Sequence, residues 1–228
     1  MTYALAAFCS DTGELGACVA TADVAVGARV PFAEAGVGAV LTQHRTDPRL
    51  GPRGLALLRS GLGAQDALDA LVASTDLARW RQLAVVDATG ATASFSGAEV
   101  VTTMAERHGP ACVAIGNVLS RPEVCEAMVD AFAEGAGEPL AERLVRALEA
   151  GRDAGGEQAP ARSSALVVVR DPELRLVDLR VDESPEPVAA LRGLWDGYAP
   201  WVEELRLRAL DPDAAEGVPR ALRREDRP

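Results

Sequence analysis

The chain has 228 residues, enough for one large domain or two small ones, and its 48% hydrophobic and 25% charged content is that of a globular protein. Its net charge of −11 comes from 34 acids against 23 bases, and every base is arginine. The acidic balance argues against a nucleic-acid partner, which is usually met by a basic stripe. The missing lysine excludes a P-loop lysine, a Schiff-base lysine and a lysine proton shuttle.

Residues 2–9 and 15–21 are apolar runs joined by Asp11-Thr12-Gly13-Glu14, which predicts a hairpin. Residues 37–42 read as a third strand. Gly51-Pro52 opens a helix with Leu55, Leu58 and Leu62 on one stripe, and a second helix follows with Ala67, Leu68, Leu71 and Val72 inward. Residues 82–87 and 91–96 flank Asp87-Ala88-Thr89-Gly90, a second hairpin signal. A strand over 112–116 then leads into helices over 122–134 and 139–150, and a Gly- and Pro-bearing loop over 151–161.

Residues 164–170 form a nearly continuous apolar run, as expected of a strand buried on both faces, and 177–181 pairs with it. The segment 187–205 is amphipathic, with Pro200 expected to break or restart it. Its apolar face, including Trp195 and Trp201, would suit self-association into a homo-oligomer. Hairpins dominate over strand–helix–strand crossovers, which argues for antiparallel sheets covered by helix pairs. The expected architecture is α+β, a four-layer α-β-β-α sandwich. One domain is expected over 1–208, with a mobile C-terminal tail over 209–228.

No apolar run is long enough for a membrane-spanning helix and the N-terminus lacks a positive segment, so a cytoplasmic protein with no membrane partner is expected. Cys9, Cys18, Cys112 and Cys125 form no C-x-x-C pair and sit among apolar neighbours, which fits buried thiols better than metal or redox work. A cysteine enzyme using Cys9 or Cys18 is the weakest of the catalytic readings. The two histidines, His44 and His108, sit in polar surroundings, and no metal or organic cofactor is expected.

A series of short motifs runs in order along the chain. It includes Thr-Gly-Glu-Leu-Gly (12–16), Ala-Gly-Val-Gly-Ala-Val-Leu-Thr-Gln (35–43), Gly-Pro-Arg-Gly-Leu (51–55) and Arg-Gln-Leu-Ala-Val-Val-Asp (81–87). Phe-Ser-Gly (95–97), Gly-Asn-Val-Leu (116–119) and Arg-Ser-Ser-Ala-Leu-Val-Val-Val (162–169) continue it. From about Thr2 to about Leu194 the set resembles the bacterial family known as domain of unknown function 1028. That resemblance implies a fold like the N-terminal-nucleophile hydrolases and carries no established substrate.

Such a fold makes the first residue after processing the nucleophile, which here is Thr2 once Met1 is removed. Its freed α-amine would act as general base, since an α-amine ordinarily titrates at about 7.7–8.0. Asp23, past the second strand, would orient that amine. Asn117, after the strand over 112–116, would donate to an oxyanion. Gln43, Arg162 and Ser163 are the candidate substrate contacts. The implied activity is hydrolysis of an amide-type bond in a small polar molecule; the alternative is a non-catalytic binding or scaffold protein that keeps the fold. Three departures stand out: the absence of the lysine that related hydrolases often use near the nucleophile, Thr21-Ala22-Asp23, and Gly155-Gly156-Glu157-Gln158 in place of a more basic loop.

Overall fold

The first hairpin forms as its turn residues dictate: β1 (Thr2–Phe8) and β2 (Leu15–Thr21) pair antiparallel across a turn that Gly13 closes with a positive φ of 73°. The computed structural model describes residues 1–217. The remaining strands are β3 (Pro31–Glu34), β4 (Gly38–Gln43), β5 (Gln82–Asp87), β6 (Thr92–Ser96), β7 (Met104–Gly109), β8 (Cys112–Asn117), β9 (Ser163–Val169) and β10 (Arg175–Val181). The helices are α1 (Leu50–Arg59), α2 (Ala64–Ala73), α3 (Glu123–Glu134), α4 (Leu140–Asp153), α5 (Pro187–Tyr198) and α6 (Val202–Leu210).

The chain is an α+β protein with two antiparallel sheets. One runs β10-β9-β2-β1-β8-β7 and the other β3-β4-β5-β6. Side-chain alternation divides their faces. Ala4, Ala6, Ala17 and Val19 of the larger sheet meet Leu41, Ala84 and Val86 of the smaller one in a core between the sheets. Tyr3, Leu5 and Leu166 face the other way, onto Met128, Leu144, Leu148 and Leu191 of α3, α4 and α5. Val40, Leu83 and Val85 pack on Leu55, Leu58, Leu68 and Leu71 of α1 and α2. Central strands are therefore buried on both sides, which explains their unbroken apolar runs. Helix α4 approaches β1 closely because Gly151 has no side chain: a Cβ there would stand 3.0 Å from the Tyr3 ring and 2.9 Å from Met128 Cγ.

The eight expected strands are present with slightly different bounds. The additional two, β3 and β7, are edge strands. β3 is short and opens on proline, and β7 carries Glu106, Arg107 and His108, so neither shows an apolar pattern. Helix α4 also continues to Asp153, taking in Gly151, where a loop was expected. Pro200 does interrupt the last amphipathic segment, between α5 and α6.

Two expectations concern this end of the chain. Part of the apolar face offered for self-association packs inside the chain: Leu191 and Trp195 are buried against the larger sheet's helix layer, and Trp195 Nε1 donates to Glu142 at 2.7 Å, while Leu194 stays exposed. The start of the expected tail is anchored, since the amides of Glu216 and Gly217 donate to the Glu204 carboxylate at 2.9 and 2.8 Å. The rest of that tail, 218–228, lies outside the described residues. Among the described residues no helix is long and apolar enough to cross a membrane.

Candidate active site

Strand register builds two facing rows of polar residues at one end of the core between the sheets. In the larger sheet Thr2 lies opposite Asn117 on β8, and Thr21 lies opposite Ser163 on β9. The Thr2 and Thr21 hydroxyls touch at 3.2 Å. In the smaller sheet Gln43 lies opposite Gln82, which lies opposite Ser96. Each of Thr2, Thr21, Asn117, Ser163, Gln43 and Gln82 sits two positions from a residue of the inter-sheet core (Ala4, Val19, Ile115, Ala165, Leu41 and Ala84) and so faces the same side. All six are buried.

Gln82 organises this end. Its Nε2 donates to the Gly116 carbonyl and to Ser96 Oγ, both at 3.0 Å. A carbonyl can only accept, so this contact fixes which end of Gln82 is the amide nitrogen. Gln82 Oε1 then accepts from Gln43 Nε2 at 2.7 Å and Asn117 Nδ2 at 3.1 Å. The carbonyl oxygens of Gln43 and Asn117 are left buried without a partner. Asn117 was expected to donate to an oxyanion. One N–H of its amide goes to Gln82, and its carbonyl oxygen is a buried acceptor without a partner.

Thr2 opens onto a cleft of about 350 Å³ lined by Asp23, Val24, Arg29, His44 and Arg45 as well as Met1. The Met1 carbonyl accepts from both the Thr2 and Thr21 hydroxyls. Asp23 lines the cleft. Ser163 instead braces the turn that carries Asp23: its hydroxyl donates to the Asp23 carbonyl at 2.7 Å and accepts from the Val26 amide at 3.1 Å. Arg162 points to solvent and pairs with Glu183, away from Thr2.

The cleft's guanidinium groups come from two residues not singled out in the sequence. Arg29 donates to the Val24 carbonyl at 2.8 Å. Arg45 lies over the Trp80 ring at 5.1 Å, and its neighbour His44 contacts the Trp80 carbonyl through Nδ1 at 2.9 Å. Both residues have left-handed backbone, with φ of 52° at His44 and 44° at Arg45. Neither Arg29 nor Arg45 has a carboxylate partner among the described residues. Two guanidinium groups and the Asp23 carboxylate thus line the cleft.

Glu157 was also missed as a site residue. Its loop is fastened to the segment after β8, with Gln158 N donating to Val118 O and Ser120 N to Gly156 O, both at 3.0 Å. Glu157 is 8% exposed, and its Oε2 accepts from the Ala22 amide at 3.0 Å. Burial pushes its carboxyl up to about 8, while the Ala22 amide and the chain's N-terminal charge pull it back. A lone acid in a Gly-Gly loop was the only sequence signal. A second cleft, about 380 Å³, lies beside it on the helix-facing side of β1, lined by Tyr3, Arg152, Glu157 and Pro187.

The cysteine alternative named Cys9 or Cys18. All four thiols are buried, and burial pushes Cys18 up to about 12. Among the described residues no three metal-binding side chains gather.

Comparison with known proteins agrees with the motif series. No curated protein matches the chain. A crystal structure of protein SPO2555 from Silicibacter pomeroyi, itself described by the DUF1028 family, is similar, with 28% identity and a TM-score of 0.81, covering 89% of this chain and 94% of that one. Residues 2–191 match the family of unknown function DUF1028, and the chain belongs to that family.

Proposed function

We propose that this protein is a hydrolase with the four-layer α-β-β-α sandwich of N-terminal-nucleophile hydrolases, cleaving an amide-type bond in a small anionic molecule through Thr2. The observation that carries this is the position of Thr2: it begins β1, its hydroxyl sits at the cleft, and its nitrogen is one peptide bond from becoming the chain's terminus. Removal of Met1 frees an α-amine on the same residue as the hydroxyl. The neutral amine takes the Oγ1 proton as Oγ1 attacks the substrate carbonyl, and returns it to the leaving nitrogen. Water then cleaves the acyl ester by the reverse proton path. Arg29 and Arg45 hold a substrate carboxylate, and Asp23 faces the amine across the cleft.

A binding protein without chemistry is the second reading. The observation favouring it is the Met1 carbonyl, which caps the Thr2 and Thr21 hydroxyls while Met1 is present. In that form the Thr2 nitrogen is an amide and has no basic lone pair. Assay of processed protein against a panel of N-acyl and N-carbamoyl amino acids separates the two. The hydrolase reading expects turnover that Thr2→Ala abolishes. Binding without turnover, or turnover retained in Thr2→Ala, overturns it.

A further inference from the structure

Glu157 is a buried acid with one oxygen unmet. One oxygen, Oε2, accepts from the Ala22 amide at 3.0 Å; the other, Oε1, has no partner. A buried anion is costly unless a cation and hydrogen-bond donors meet it. Among the described residues no arginine contacts Glu157: Arg152 donates to Asp153 at 2.7 Å, and Arg162 pairs with Glu183. Asp23 adds repulsion, and the neighbouring phenol of Tyr3 is itself held neutral by burial.

The chain's N-terminal charge already acts on Glu157, and topology says where a cation in direct contact would sit. Ala22 follows Thr21, whose hydroxyl touches that of Thr2, so the amide that grips Glu157 is level with the Met1–Thr2 junction. On the other flank of β1, Leu119 bridges to Glu157 and lies two residues beyond Asn117, the partner of Thr2. Glu157 is thus tied to both strands that border the start of β1. Removing Met1 creates an ammonium at this junction, with N–H donors where Glu157 Oε1 and Asn117 Oδ1 lack them.

We propose that Glu157 is the counter-ion of the Thr2 α-ammonium, a positioning residue that holds the nitrogen in place beside the Thr2 hydroxyl. This rests on the hydrolase reading only through the removal of Met1. Carboxylate and ammonium each favour the charged form of the other, so Glu157 raises the pH at which the amine becomes neutral.

The sequence supplies an unusually clean test. With no lysine in the chain, the terminal α-amine is its only primary amine. The rate of acetylation of the N-terminal peptide by trace acetic anhydride, followed against pH by mass spectrometry, therefore reports the titration of that one group. In processed protein, Glu157→Gln is expected to move the midpoint down by about one pH unit, so that labelling below the midpoint is about tenfold faster. Glu157→Asp, which keeps the charge, is expected to restore most of the wild-type midpoint. A purely structural role for Glu157 would not produce this charge-dependent pair of results. Met1 removed with equal midpoints in wild type and Glu157→Gln overturns the counter-ion alone. Met1 retained overturns both it and the hydrolase reading. A shifted midpoint without turnover of any N-acyl substrate supports the counter-ion and contradicts the hydrolase.

Discussion

Asn117 reaches from the larger sheet to donate to Gln82 of the smaller one at 3.1 Å, and this contact joins the two sheets beside Thr2. Through Gln82 it also sets the orientation of Gln43 and occupies the Gly116 carbonyl. The site is therefore held by a buried amide cluster whose every hydrogen-bond direction follows from one carbonyl.

Replacing Gln82 with leucine removes the acceptor for two amides and the donor for one carbonyl in a fully buried place. The expected loss of stability is about 2–4 kcal/mol, because buried polar groups left unpaired keep their desolvation cost. Urea unfolding checks this through the midpoint. A midpoint equal to that of the wild type would show that water replaces Gln82 without cost.

Arg45 is expected to act on binding and not on bond cleavage. It lines the cleft from a left-handed backbone position and stacks on Trp80. Arg45→Ala should raise KM for an anionic substrate about tenfold and leave kcat nearly unchanged, as loss of uniform binding does. Steady-state kinetics with matched anionic and amidated substrates gives the result, since the amidated form should lose its dependence on Arg45.

Acid should loosen the seam between α4 and α5. Burial alone would raise the Glu142 carboxyl, but hydrogen bonds from Arg192, Trp195 and Arg146 outweigh it and hold it at about 2, against an ordinary value of 4.5. A carboxylate lowered in the fold contributes stability above its unfolded value and loses it as pH falls through the folded one. The melting temperature should thus decline from about pH 4.5 towards 2, and Glu142→Gln should flatten that decline while lowering stability at neutral pH. Thermal melts across this range provide the comparison.

Gly151→Ala should push α4 away from β1, since the added Cβ would meet Tyr3 and Met128. A loss of about 1–3 kcal/mol is expected, as for other overpacked cores, with Thr2 one residue from the disturbed ring. Denaturant unfolding of the variant measures it.

The large elements were legible because strands buried on both faces and helices with one apolar stripe each leave a periodic trace. β7 left none: as an edge strand it turns Glu106 and His108 towards the hydroxyls of Ser94, Ser96 and Thr92 on β6. Thr2, Gln43 and Asn117 were singled out from strand ends, but the row that joins Thr2 to Asn117 needed the pairing of β1 with β8, far apart in sequence, and Gln43 faces it from the other sheet. Gln82 passed as the start of an apolar strand. Glu157 was hidden for the same reason, because its partner Ala22 is 135 residues away. Arg162 was singled out by its place before β9 and turns out to face solvent, since the residue preceding an inward Ser163 projects to the other side.

The central claim is that Thr2, freed of Met1, is a nucleophile, and trapping its acyl intermediate tests this most directly. Processed protein would be treated with a small β-lactone, whose ring opens by acyl transfer, and its intact mass and N-terminal peptide measured. The account predicts one added acyl group, located on the N-terminal peptide and absent in Thr2→Ala. An unmodified mass, or the same adduct on Thr2→Ala, would contradict it.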